Sequence, residues 1–416
     1  MVRDLLSEAY TAMRHNRRRT GLTMLGMAWG IATVVILLAF GSGFERAINL
    51  IFASFGTDWV GVFPGRTSLQ AGGAKAGTQV RLKMADVDLL RTEVPMLKGI
   101  TPLFDKDNGV TVQHDTRTYT NLFVTGVYPV YQRIRHFNVA EGRTLGEEDE
   151  FDHARVAVIG DVARKKLFSG QRAVGETIRV NGVSFQVIGI YEHKVQSDDD
   201  NDNNMVVLPF STMGDLYNTE YLTGIALDYE GQNHAQVARI VRSVMAAHHN
   251  FRPDDKRAVF VEDIKENLDE FNIVITALKV LLAFIGALTL GIGGIGLMNI
   301  MLVSVQQRTR EIGVEKALGA RKRDILIQFL AEALAITAIG GVAGICIAYA
   351  VAYGVGSITL MSAFSESAQA GDIHLHINMS SLMVATVILG LVGVVSGMLP
   401  AIRAAHLDPI ESLRYE

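Results

Sequence analysis

Four apolar stretches constrain this chain more than any other feature. One covers residues 20–44, with no charge before Glu45. A second is charge-free from Val280 through Gln306, a third runs from Ile325 to Leu360 with Glu332 as its interruption, and a fourth covers Leu382–Ile402. A helix needs roughly 20 apolar residues to cross the hydrocarbon core of a bilayer. All four reach that length, and at least three are too long for helices buried in a soluble domain. Hydrophobic residues make up 49% of the 416, more than a soluble protein of this size usually carries. The first stretch is too long for the apolar core of a cleaved leader, and Gly41-Ser42-Gly43-Phe44 offers no small-x-small cleavage site. The expected class is an integral membrane protein with four transmembrane α-helices and a large α+β extracytoplasmic domain between the first and second.

Basic residues orient the crossings. Arg14, Arg17, Arg18 and Arg19 precede the first, and Arg308, Arg310, Lys316, Arg321, Lys322 and Arg323 fill the loop between the second and third. Short basic loops stay in the cytoplasm, and an even number of crossings separates these two. The loop after the third crossing holds Glu366 and Asp372 but no Lys or Arg. Both termini are therefore expected in the cytoplasm, at a bacterial inner membrane. A net charge of −4 gives no basic field for nucleic acid. Cys346 is the single cysteine, so the outer domain is expected to fold without an internal disulfide.

Residues 1–19 read as a cytoplasmic amphipathic helix, with Leu5, Leu6, Ala9, Tyr10 and Met13 on one stripe. The first crossing is expected over 20–43 and the outer domain over 44–270, in two subdomains with about 129–219 inserted in the rest. A stalk and second crossing follow over 271–305, then a cytoplasmic segment (306–324) and the third crossing (325–358). An outer loop (359–380), the fourth crossing (381–402) and a cytoplasmic tail (403–416) complete the chain. Inside the outer domain, Val156–Ile159 reads as a strand, followed by a helix through Phe168 that Asp161 caps. Alternation on both sides of Asn181-Gly182 predicts a hairpin, since that pair tolerates the positive φ of a tight turn. Further strands are expected at Met205–Leu208, Thr223–Leu227 and Val259–Val261, and a helix over 235–248. From about Asp263 a helical pattern without Gly or Pro leads into the second crossing, which predicts a stiff stalk.

Chemical motifs are sparse. Asp198–Asn204 lacks EF-hand spacing and reads as a solvated, mobile loop. His248-His249 and the His374/His376 pair lack zinc-ligand spacing. No H-E-x-x-H or G-x-S-x-G occurs. No catalytic, metal or cofactor-binding residue is expected, and the chain reads as non-enzymatic.

The stretch Gln307-Arg-Thr-Arg-Glu-Ile-Gly-Val-Glu-Lys-Ala-Leu-Gly-Ala-Arg-Lys-Arg-Asp-Ile-Leu-Ile-Gln-Phe-Leu-Ala-Glu-Ala resembles the signature of MacB/FtsX-like ABC transporter permeases. Val156–Gly189 and the ending from Pro400 through Pro409 to Arg414 also look like MacB-type segments. The order of elements is similar over essentially the whole chain. The resemblance implies a permease that couples ATP hydrolysis to movement of its outer domains and export from the periplasm or envelope. It also implies a pair of ABC ATPase subunits that bind ATP and Mg, a second permease subunit, a periplasmic adaptor and, in a two-membrane cell, an outer-membrane channel. Unlike MacB, these residues contain no G-x-x-x-x-G-K-[ST] phosphate loop, and the glycine-rich Ala71–Thr78 lacks its Gly-Lys ending. The ATPase is therefore expected as a separate subunit. An FtsX-like signalling module acting on an envelope hydrolase, or a lipoprotein-releasing permease, shares this topology.

The informative cytoplasmic segment is Gln306–Asp324. Val314, Ala317 and Leu318 fall on one helical face, and Gly319 is placed to end the helix. A short amphipathic helix here can enter a cleft on a soluble partner, and the resemblance names the ATPase as that partner. Arg310, Glu311, Ile312, Gly313, Glu315, Ala317, Leu318 and Gly319 are the expected coupling residues. Small residues recur at close spacing in the crossings, which lets helix backbones approach. Gly26, Gly30, Gly291 and Gly294 are the candidates for helix packing, within one chain or between two copies. Glu332 is placed to pair with Arg308 or Arg310.

Overall fold

The computed structural model describes residues 17–56, 58–70, 75–94, 96–106, 109–195, 202–231, 233–359 and 371–413. The amphipathic helix expected before the first crossing, Arg14, Glu366 and residues 198–201 lie outside them. The helices are α1 (Arg17–Phe55), α2 (Met84–Glu93), α3 (Tyr131–Ile134), α4 (Glu147–Phe151), α5 (Asp161–Phe168) and α6 (Phe210–Met213). They continue with α7 (His234–His249), α8 (Ile264–Gln307), α9 (Thr309–Ala317), α10 (Lys322–Val355), α11 (Met379–His406) and α12 (Pro409–Leu413). The chain divides into two compact units, one from residues up to Arg46, Ile273–Ile358 and Ile373 onward, the other from Ala47–Asn272 and Thr359–Asp372.

Among the described residues, four helices (α1, α8, α10 and α11) are long and apolar enough to cross a membrane. In the first unit their backbones meet at glycines. A Cβ on Gly286 would lie 3.0 Å from Val34 Cγ2, and one on Gly340 2.9 Å from Met27 Cβ. One on Gly397 would sit 2.6 Å from Ala333 Cβ. Close approach at small residues is how helices pack where lipid removes the hydrophobic drive between them. Met27, Ile31, Val34, Leu290, Ala348 and Ala385 fill one cluster, and Met301, Ile325, Phe329, Ala333 and Ala404 another.

Helix α1 outruns the apolar stretch that predicted it, continuing past residue 43 to Phe55. Nothing breaks it until Gly56, whose φ of +83° ends a helix cheaply. Glu45 on this extension forms an ion pair with Lys279 of α8.

The second unit is built on one sheet. Its strands are β1 (Trp59–Pro64), β2 (Leu97–Lys106), β3 (Val112–His114), β4 (Arg117–Tyr119), β5 (Phe123–Val127) and β6 (Val139–Gly142). They continue with β7 (Val156–Ile159), β8 (Thr177–Val180), β9 (Val183–Tyr191), β10 (Met205–Pro209), β11 (Gly224–Tyr229) and β12 (Val259–Asp263). The order is β12-β1-β11-β2-β5-β10-β7-β9-β8-β3-β4, with β6 on β9. The β8–β9 hairpin turns at Asn181 (φ +48°) and Gly182 (φ +87°), the geometry an Asn-Gly pair favours.

Three expectations change here. The inserted subdomain does not begin near residue 129. Val112 of β3 pairs with Val180 of β8, so the cluster of Phe104, Val112, Val124, Ile178 and Leu208 starts earlier and shares the sheet with the other cores. Asp161 does not cap α5, because Gly160 occupies the cap. Asp161 is the first helical residue instead, where its carboxylate pairs with Arg164 (3.0 Å) and Lys165 (2.8 Å). Asp202, Asn203 and Asn204 are buried rather than solvated. Asp202 accepts two hydrogen bonds from Arg135 Nη2 (3.0 and 2.9 Å) and one from Lys194 Nζ (3.1 Å), so its buried carboxylate is paired rather than solvated.

Asp255 anchors an edge of this unit. Its carboxylate accepts from Ser68 N (2.6 Å), Ser68 Oγ (2.7 Å), Leu69 N (2.8 Å) and Arg257 N (3.2 Å). Burial opposes its charge, but these donors outweigh burial and lower its pKa from 3.8 to about 2. The folded value is depressed, so this contribution is complete above pH 3.8 and is lost as pH falls toward 2. Asp255→Ala is expected to cost about 2 kcal/mol by leaving buried donors unpaired. Thermal unfolding should show the deficit at pH 7 and its disappearance in acid.

Candidate functional site

The site is assembled around α9, and each of its ends has a local cause. Thr309 Oγ1 donates back to the carbonyls of Val305 (3.2 Å) and Gln306 (2.8 Å), and the α8 ladder ends there. At the other end Gly319 has a φ of +102°. Gly319 N bonds Lys316 O (3.1 Å) and Ala320 N bonds Glu315 O (3.1 Å), the pair that closes a Schellman turn. The next helix starts at once, with Asp324 Oδ2 accepting from Arg321 N (3.1 Å). Arg308 Nη1 lies 3.3 Å from Glu332 Oε2, fixing the segment to α10.

Helix α9 rests on α12. Asp408 organises that short helix by accepting from Ile410 N through its side chain (2.9 Å) and from Ser412 N through its carbonyl (2.9 Å). A Cβ on Gly313 would lie 2.7 Å from Ser412 Cβ, so only glycine admits this crossing. Lys316 Nζ donates to Ala405 O and Leu407 O, both at 2.7 Å, satisfying carbonyls where α11 ends. Desolvation, with Lys322 nearby, lowers the Lys316 pKa. Lys316→Met is expected to destabilise this end of the bundle by about 1–2 kcal/mol through two lost charged-group hydrogen bonds. A lower melting temperature in detergent checks it.

The eight expected coupling residues divide by this packing. Ile312 (2% exposed) is buried among Met301, Ile325, Phe329 and Ala404, and Gly313 is buried against α12. Arg310, Glu311, Glu315, Ala317, Leu318 and Gly319 are exposed. The outer face therefore presents Leu318 at 85% exposure beside charged groups, with Val314 at 43% on the same helix. Ile410 of α12 is 73% exposed. In the sequence Lys316 reads only as one basic residue of the loop, and Ile410 and Ser412 carry no signal of their own, because Lys316 bonds carbonyls 89 and 91 residues away. The α12 segment lies within the resembling C-terminal stretch, which was the available signal.

The packing candidates divide as well. A Cβ on Gly30 would meet Leu290 Cδ1 at 2.9 Å, and one on Gly294 would meet Val392 Cγ1 at 2.7 Å, so both face helices of the same chain. Among the described residues, apart from their own helix backbone, Gly26 and Gly291 have nothing within 4 Å of such a Cβ.

Residues 20–244 match the family model described as MacB-like periplasmic core domain, and residues 283–409 match FtsX-like permease C-terminal. The chain is 33% identical to the macrolide export ATP-binding/permease protein MacB of Bdellovibrio bacteriovorus, over 99% of this chain and 61% of that protein. It is 33% identical to the pyoverdine export ATP-binding/permease protein PvdT of Pseudomonas putida, over 99% of this chain and 60% of that one. The chain thus spans about three fifths of the length of these relatives. The crystal structure of the periplasmic region of MacB from Actinobacillus actinomycetemcomitans matches with a TM-score of 0.43 at 17% identity, covering 54% of this chain and 97% of that one.

Proposed function

The chain belongs to the family of permeases with a MacB-like periplasmic core domain, and on that premise we propose that it is the membrane subunit of an ABC exporter driven by an ATPase outside these residues. Two copies of the chain pair with two ATPase subunits, which bind ATP and Mg. ATP-driven closure of the ATPase pair moves α9, and the long helices carry that movement to the periplasmic domain. Substrate is handled there, together with a periplasmic adaptor and, in a two-membrane cell, an outer-membrane channel. Both termini and α9 face the cytoplasm, in agreement with the basic residues that flank them.

The observation that carries this reading is the division of α9. Its inner face is locked by Ile312, Gly313 and Lys316, while its outer face offers Arg310, Glu311, Val314 and Leu318 to a partner. A helix that is rigid on one side and amphipathic on the other suits docking in a groove. Apart from Glu332, the membrane stretches hold almost no ionisable residue, which argues against a polar path through the bilayer. The test is ATP hydrolysis by the cognate ATPase assembled with this chain in nanodiscs. Arg310→Glu with Glu311→Lys is expected to lower permease-dependent hydrolysis at least about tenfold, the size of a lost interface hot spot. Unchanged hydrolysis and unchanged assembly in that double variant would remove the coupling assignment.

A further inference from the structure

We propose that the outer domain carries a zinc site formed by Asp86, His248 and His249, an inference independent of the export reading. The two histidines close α7, and Asp86 sits in the first turn of α2. Asp86 and His249 are 163 residues apart in the chain, which is why sequence spacing concealed the group. In the fold, His249 Nε2 is 2.8 Å and His248 Nε2 3.7 Å from the same Asp86 oxygen, Oδ1. One ligand atom from each residue lies within 4.8 Å of the others. Tetrahedral zinc, with bonds of about 2.0–2.1 Å to His nitrogen and carboxylate oxygen, sets its ligand atoms roughly 3.3 Å apart. The two observed distances bracket that value.

The ligands are held in place before any ion binds. Asp86 is 1% exposed, and its other oxygen accepts from Lys83 N at 2.8 Å, leaving Oδ1 for the histidines. The imidazoles stand edge to face, with centroids 5.1 Å apart at 89°. The group opens into a recess of about 320 Å³ lined also by Thr78, Arg81, Lys83 and Tyr221. The two cations there are engaged: Lys83 Nζ is 3.0 Å from Glu220, and the Arg81 guanidinium lies 4.6 Å from the Tyr221 ring centre. Two imidazoles and one carboxylate form a borderline donor set that suits zinc better than calcium or magnesium. They leave a fourth position, which water from the recess completes.

The test is zinc binding by the full chain in detergent, free of any affinity tag, with zinc chloride as the probe. Equilibrium dialysis with elemental analysis gives the stoichiometry, and competition with a chromophoric chelator gives the affinity. One zinc per chain is expected. Asp86→Asn and His249→Ala are expected to abolish it, and His248→Ala to weaken it at least about tenfold. His248 is half exposed, so its replacement leaves the fold intact and keeps the test decisive. The His374→Ala/His376→Ala variant is expected to bind as the parent does. Failure of the parent to bind zinc would overturn the site, as would equal binding by His248→Ala/His249→Ala.

Discussion

Leu318→Asp is expected to leave the protein as stable as its parent and to weaken its association with the ATPase about 30-fold. The first half follows from exposure. Leu318 is 85% exposed at the end of α9, and substitutions at such positions usually change stability by less than about 0.5 kcal/mol. The second half follows from the surface it would bury there. Burying a leucine side chain in a partner's cleft is worth about 2 kcal/mol, and 1.4 kcal/mol is a factor of ten. Aspartate adds the desolvation of a carboxylate to that loss. Thermal melting in detergent measures the first quantity, and titration of the ATPase onto nanodisc-embedded permease measures the second. Equal affinity for both proteins would place the docking surface elsewhere. Ile410→Asp is the companion variant, since α12 supports α9 and exposes that side chain.

Gly344→Leu is expected to have the opposite signature: loss of folded protein. A side chain at Gly344 would collide with the Ala28 carbonyl and with Ile31 on α1. The carbonyl belongs to a helix backbone and cannot turn aside, so the helices must separate. Overpacking of this kind costs about 1–3 kcal/mol and sometimes more. Yield of monodisperse protein and melting temperature report it. Gly26→Leu and Gly291→Leu are the contrast, because among the described residues, apart from the glycine's own helix backbone, nothing lies within 4 Å of a Cβ at either position. They are expected to melt as the parent does. A drop in self-association in either variant would mark that glycine as the contact between two copies.

How far the sequence carried can be followed residue by residue. The four crossings were legible because lipid imposes a length and an apolarity that no local structure disguises. The β8–β9 hairpin was legible because Asn181-Gly182 encodes its own turn. Gly319 was legible as the end of α9 for the same reason, a backbone conformation favouring one residue. The continuation of α1 to Phe55 was not, since Glu45 and Arg46 mark where the apolar stretch ends and not where a helix ends. Asp202 was misread because composition counts a charge without its partners, and Arg135 lies 67 residues away.

The same division runs through the candidate site. The sequence by itself determined the membrane-spanning class, the position of a short basic helix between two crossings and the family whose signature it carries. All of these rest on local periodicity, charge and contiguous motifs. Only the tertiary structure decided which of the eight expected coupling residues face outward, because Ile312 is claimed by the packed crossings and Gly313 by α12. It alone decided that Gly30 and Gly294 serve the chain's own packing while Gly26 and Gly291 stand open. It alone placed Asp86 against His248 and His249. Contacts across tens to hundreds of residues depend on how the elements close on one another, and no local pattern records that.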